Sequence, residues 1–134
     1  MKRYLVTIVL IAVVAIASVE AGQGAVRVPF DSGVGWVNLN TTASGRLIAT
    51  AHVQGGLPDE QFFVSVRVRY EDQTTDIFAD IAMLTTNRRG NGNVQVQVEL
   101  NPPEGSTVLR RVAVRVRRAP NPLYLAVAWD LPLK

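Results

Sequence analysis

One histidine, no cysteine and a scatter of carboxylates limit what this chain of 134 residues could catalyse. His52 is the only imidazole. A histidine acting as general base needs a nucleophile in reach and a third group to orient it. Ser44 and Ser65 qualify by type, but neither lies in a nucleophile-elbow motif, so His52 reads as a surface histidine. Without cysteine there is no thiol nucleophile, no thiolate metal site and no disulfide. The oxygen donors are Asp31, Glu71, Asp72, Asp76 and Asp80. Calcium takes roughly 6–8 oxygens, and its twelve-residue loop wants a central glycine and a terminal glutamate. The segment Glu71–Asp76 has neither at the right spacing and reads as a solvated acidic loop. The segment Gly90–Asn93 is not a phosphate loop, for it lacks the lysine and the following helix. The expectation is no catalytic residue, no metal ligand and no cofactor.

Charge offers a second kind of chemistry. Seven arginines, Arg88, Arg89, Arg110, Arg111, Arg115, Arg117 and Arg118, fall in 88–118 against Glu99 and Glu104, while 59–80 carries six acids against Arg67 and Arg69. The arginines are candidates for binding an anionic glycan or another polyanion, with nothing to indicate a specific nucleic acid. Yet Arg115 and Arg117 alternate with Val112, Val114 and Val116, as the solvent face of a strand also requires. Trp36, Phe63, Tyr124 and Trp129 could form an aromatic surface or lie in a core. Trp129 is in phase with Leu123, Leu125 and Val127, which predicts a core position. The opposite face, Tyr124, Ala126 and Ala128, is also apolar, which predicts a strand covered on both sides or a self-association surface.

These residues must be positioned by strands. Side chains alternate faces along a strand. Phe62, Val64, Val66, Val68 and Tyr70 share one face of 62–70, and Val94, Val96, Val98 and Leu100 share one face of 94–100. Leu47, Ala49, Ala51 and Val53 do the same in 46–54. Valine, branched at Cβ, suits a pleated surface. Shorter strands are expected over 25–30 and 34–40, where Trp36 and Val37 compete for the inward position, and further ones over 107–117 and 123–129. The run 77–84 is a strand or a short helix, interrupted by Asp80. Turns fall at Gly55-Gly56-Leu57-Pro58, at 102–105, at Ala119–Pro122 and at Asn91-Gly92, where a two-residue hairpin turn with positive φ is expected. The pattern predicts an all-β, antiparallel sandwich of about seven to eight strands, with an eight-stranded barrel as alternative.

The segments GGLPDEQFFV (55–64) and TTNRRGNGNV (85–94), with GRLIATAHV (45–53) before the first, resemble a recurrent pattern of exported prokaryotic β-sandwich modules, and more widely immunoglobulin-like and fibronectin type III sandwiches. The resemblance covers about half the chain and implies a structural or binding unit with no catalytic residues. Such folds often carry a tyrosine after the turn, whose hydroxyl pins the corner. Phe62 and Phe63 occupy those positions here and have no hydroxyl.

Ahead of the strands, Lys2 and Arg3 precede sixteen uncharged residues, Tyr4–Val19, and Val19-Glu20-Ala21 forms a cleavage site before Gly22. This is the pattern of a signal peptide over 1–21, and it is shorter than the roughly 20 apolar residues of a spanning helix. One domain, 22–134, is expected, with no membrane span after cleavage. Removing two cations and one anion takes the formal charge from +3 to +2. The sequence thus reads as a secreted or cell-envelope, non-enzymatic module with an unknown protein or glycan partner. The alternative is a carbohydrate- or polyanion-binding module using the arginines.

Overall fold

In a computed structural model, residues 25–118 and 121–133 are described. The expected signal segment 1–21 and the break at Ala119-Pro120 lie outside them. Eight strands follow in chain order: β1 (Ala25–Pro29), β2 (Gly35–Thr41), β3 (Arg46–Val53), β4 (Gln61–Tyr70), β5 (Ile77–Thr85), β6 (Gly92–Glu99), β7 (Val108–Arg118) and β8 (Asn121–Pro132). They form two four-stranded antiparallel sheets, a first ordered β1-β2-β3-β6 and a second ordered β5-β4-β7-β8. Two separate sheets, rather than a closed ring, make this a sandwich. The segment 77–85 is a strand, and a register shift near Asp80 absorbs the interruption.

The alternating residues set the core. Val37 and Leu39 of β2 and Leu47, Ala49, Ala51 and Val53 of β3 face Phe62, Val64, Val66 and Val68 of β4 and Val112, Val114 and Val116 of β7, all buried. Val37, fully buried, wins the inward position over Trp36. Two tyrosine hydroxyls do the pinning that Phe62 and Phe63 cannot. Tyr70 Oη accepts from Asn101 N at 3.0 Å, and Tyr124 Oη accepts from Leu57 N at 3.4 Å. Two further links join β8 to the first sheet. Thr41 Oγ1 donates to Pro132 O, and Asp31 Oδ1 accepts from Leu125 N.

The central unit is one long hairpin folded in half. β3 pairs β6 from Arg46↔Glu99 to Val53↔Gly92, and β4 pairs β5 from Gln61↔Thr85 to Val68↔Ile77. Between these ladders the two chains stay joined: Gly56 N donates to Gly90 O, Asp59 N to Asn87 O and Thr86 N to Glu60 O, at 2.9–3.0 Å. Residues 46–68 and 77–99 therefore run antiparallel throughout. Their ends lie in the first sheet, their middle at the corner, and their tip in the second sheet.

This geometry corrects two expectations. Asn91-Gly92 is not a two-residue hairpin turn, because β5 and β6 belong to different sheets. The glycine with positive φ is Gly90 (+81°), not Gly92. Gly92 begins β6 and is needed for another reason: a Cβ there would lie 2.3 Å from Thr85 O. At Gly90 a Cβ would lie 2.1 Å from Gly56 O, so positive φ and close approach coincide. The second correction concerns β8. Tyr124, Ala126 and Ala128 are buried, and Trp129 is 60% exposed, so the face of Leu125, Val127 and Trp129 looks outward.

Gly105 has φ of +89° with nothing within 4 Å of a built Cβ. Gly105→Ala should cost only the left-handed penalty, about 1 kcal/mol. Gly90→Ala should cost about 2–4 kcal/mol, because backbone must also move. Urea denaturation of the two variants checks this, and equal midpoints would contradict a tight corner.

Candidate binding face

The outer face of the second sheet is assembled from all four of its strands. Outward residues alternate with the core set, and the register places them in rows. Met83, Phe63 and Arg117 form one row, and Ile81, Ser65, Arg115 and Leu125 the next. Phe78, Arg67, Ala113 and Val127 form a third row, and Arg69, Arg111 and Trp129 a fourth. Read along the strands, apolar side chains line both edges, on β5 and β8, while the central strands β4 and β7 carry five arginines and, at one end, Phe63. Phe63, Ile81, Met83, Phe78 and Trp129 are between 43% and 60% exposed. Ser65 and Ala113 point outward yet are buried. They are small, and the longer side chains around them close over them.

Charge on this face is unbalanced. Asp76 accepts from Arg69 Nε at 3.0 Å and also pairs with Arg111, both arginines being mostly buried. It is the only carboxylate that pairs with any of the five among the described residues. Arg67, Arg115 and Arg117 make no ion pair among the described residues. The Arg111 guanidinium lies 5.5 Å from the Trp129 ring and that of Arg67 5.7 Å from Phe78. Such contacts contribute about 0.5–1 kcal/mol at exposed sites. Arg67 Nε is buried without a hydrogen-bond partner.

Of the seven arginines singled out in the sequence, the fold brings Arg111, Arg115 and Arg117 onto this face. Arg88 and Arg89 stand exposed on the β5–β6 turn. Arg110 pairs with Asp130 and Arg118 with Glu60, both exposed pairs worth at most about 1 kcal/mol. Arg67 and Arg69 complete the cluster and come from the acid-rich stretch. Their signal in the sequence was their outward parity in 62–70.

The outer face of the first sheet is different. Asn38, Asn40, Thr50, Gln95 and Gln97 present amides and a hydroxyl, with Arg46 paired to Glu99. At one end Trp36 stacks on His52 with centroids 4.9 Å apart, and Arg27 lies 3.9 Å from the indole. The indole is thus engaged by its neighbours, and its Nε1 is buried without a partner. No serine, threonine or carboxylate hydrogen-bonds to His52 among the described residues; Asn38 Nδ2 is 3.4 Å from its Nε2. Of the oxygen donors, Asp31 accepts from Leu125 N, Glu71 from Thr107 N and Asp80 from Ile81 N, while Asp76 is held by two arginines. No cluster of three or more His, Cys, Asp or Glu suited to a metal ion occurs among the described residues. Nor is any helix among them long and apolar enough to cross a membrane.

Comparison of the chain with protein-family models, with curated proteins and with solved structures finds no match.

Burial, then the positive charge of Arg27, holds the His52 pKa below its usual 6.5. The unfolded chain therefore binds a proton more readily than the folded one. Stability from this group is complete above the unfolded value and is lost as pH falls through the folded one. Thermal melts from about pH 7.5 to about pH 5 should show a larger fall in midpoint for wild type than for His52→Gln. Parallel profiles would contradict this.

Proposed function

We propose that the protein is an exported, non-enzymatic interaction module that binds a macromolecular partner through the outer face of β5-β4-β7-β8. The observation that carries this reading is the contrast between the two outer faces. One presents mainly amides, a hydroxyl and a paired arginine to water, and its one large aromatic, Trp36, is engaged by His52 and Arg27. The other exposes five large apolar side chains beside arginines with too few carboxylates. Aromatic residues, methionine and arginine are the types enriched at protein interfaces, and contiguous exposed apolar patches mark contact sites. The basic and apolar start of the sequence, and the likeness of 55–64 and 85–94 to exported sandwich modules, support export. The absence of cysteine fits a domain that stands on its core wherever it resides. Binding to a polyanion through Arg115 and Arg117 is the second reading, favoured by their making no ion pair among the described residues.

A photo-crosslinking residue at Ile81 should give adducts with another macromolecule in the cells of origin. The same residue at Gln95, on the outer face of the first sheet, should not. Adducts from both positions alike, or from neither, would contradict the assignment.

A further inference from the structure

We infer that the partner's contacting element is an acidic amphipathic helix of another protein, lying along β4 and β7 with a carboxylate stripe on the arginines and apolar side chains on both flanks. The inference rests on the proposed binding face and specifies its partner by chemistry. Its basis is the order of the face across the sheet. Met83, Ile81 and Phe78 stand on one edge and Leu125, Val127 and Trp129 on the other, with Arg115 between Ile81 and Leu125, Arg67 between Phe78 and Val127, and Arg117 at the end of the band beside Phe63.

Dimensions fit such an element. Adjacent strands lie about 4.8 Å apart, so the edge strands β5 and β8 stand about 14 Å apart, wide enough to flank a helix of about 10–12 Å diameter. The outward positions from Phe63 to Arg69 extend about 20 Å along the strand, the length of a helix of about 14 residues. A helix placed there sets its central stripe over the arginines and its two flanks against the edge strands.

Charge and polarity exclude the other occupants in turn. A second copy placed face to face would set five arginines against five, with one Asp76 on each side. Like charges at close range in a drying interface oppose such a dimer. The chain's own segment 1–24 is apolar with Lys2 and Arg3 against Glu20, so it too offers the wrong sign. A bilayer favours the opposite arrangement, apolar side chains in the middle and cations at the rim, where they reach headgroups. An uncharged glycan needs neutral hydrogen-bonding groups, and Ser65, the one hydroxyl on the mapped rows, is buried. A bare polyanion satisfies the arginines and leaves both apolar edges wet. A helix with carboxylates between two apolar flanks satisfies all three stripes.

The test uses a synthetic helical peptide of about 14 residues with a glutamate stripe between leucine flanks, titrated by calorimetry and by Trp129 emission. Its comparators are the same peptide with glutamine for glutamate, oligoglutamate, heparin and phosphatidylglycerol vesicles. The glutamate peptide should bind at least about tenfold more tightly than its glutamine form and than oligoglutamate, the factor of one lost charge-assisted contact. The double variant Arg115→Gln/Arg117→Gln should remove that advantage. Ile81→Glu, which leaves the arginines in place, should also weaken binding about tenfold or more by repelling the glutamate stripe. Oligoglutamate or heparin equal to the peptide would reduce the face to a charge site and overturn the inference. So would preferential binding to vesicles, or no binding to the peptide. The crosslink at Ile81 separates the failures. Adducts there without peptide binding leave the face and reject the helix. Peptide binding without adducts leaves the chemistry and rejects the face as the working surface.

Discussion

The corner between residues 55–60 and 86–91 is the joint on which the rest of the molecule depends. A long hairpin cannot bend from one sheet into another without breaking its ladder, and the backbone groups released must find partners. Here they find each other. Gly56, Asp59 and Thr86 donate across the corner, Gly55 N donates to Asn91 Oδ1, and Thr86 Oγ1 donates to Leu57 O and accepts from Glu60 N. Thr86 is buried, so its hydroxyl satisfies groups that water does not reach. Gly90 permits the approach because no Cβ separates it from Gly56 O. The chain stays paired through the bend, and the core valines of both halves meet face to face.

Character then divides between the two outer faces. Folding the hairpin puts β4 and β5 in one layer and β3 and β6 in the other. The first layer shows Asn, Gln and Thr. The second brings β7 beside β4 and so collects arginines from positions 67–69 and 111–117 in one field. The pairing of Asp76 with Arg69 and Arg111 fixes one end of that field through partly buried contacts. At the other end Arg115 and Arg117 have no such partner among the described residues, and there the positive charge faces outward.

Much of the fold was legible in the sequence. Strands 46–53, 62–70, 94–100 and 112–116 bury the faces their alternation assigns, because a residue period of two with polar partners leaves only one arrangement that hides the valines. β8 was not legible, since Leu125, Val127 and Trp129 oppose Tyr124, Ala126 and Ala128, and apolarity on both sides carries no sign. The phase shared with Leu123, Leu125 and Val127 suggested that Trp129 goes inward. The structure instead seats alanines opposite the dense valine layer and uses the Tyr124 hydroxyl on Leu57 N. At Asn91-Gly92 the dipeptide suggested a tight hairpin, but the connection changes sheets, a fact no local pattern holds. The candidate face was half visible. Arg111, Arg115 and Arg117 showed themselves by spacing, whereas Arg67 and Arg69 join them only through the long-range pairing of β4 with β7.

Native-state hydrogen exchange at the corner shows whether the bend opens with the core or apart from it. If the folded hairpin is a single unit held at its bend, the amides of Gly56, Asp59 and Thr86 will exchange only on global unfolding, with the same opening free energy as core amides of β4 and β7. If those three amides open independently, with protection far below that of Val66 and Val114, the bend is a loop between two separate pairs of strands and the folded hairpin is not one unit.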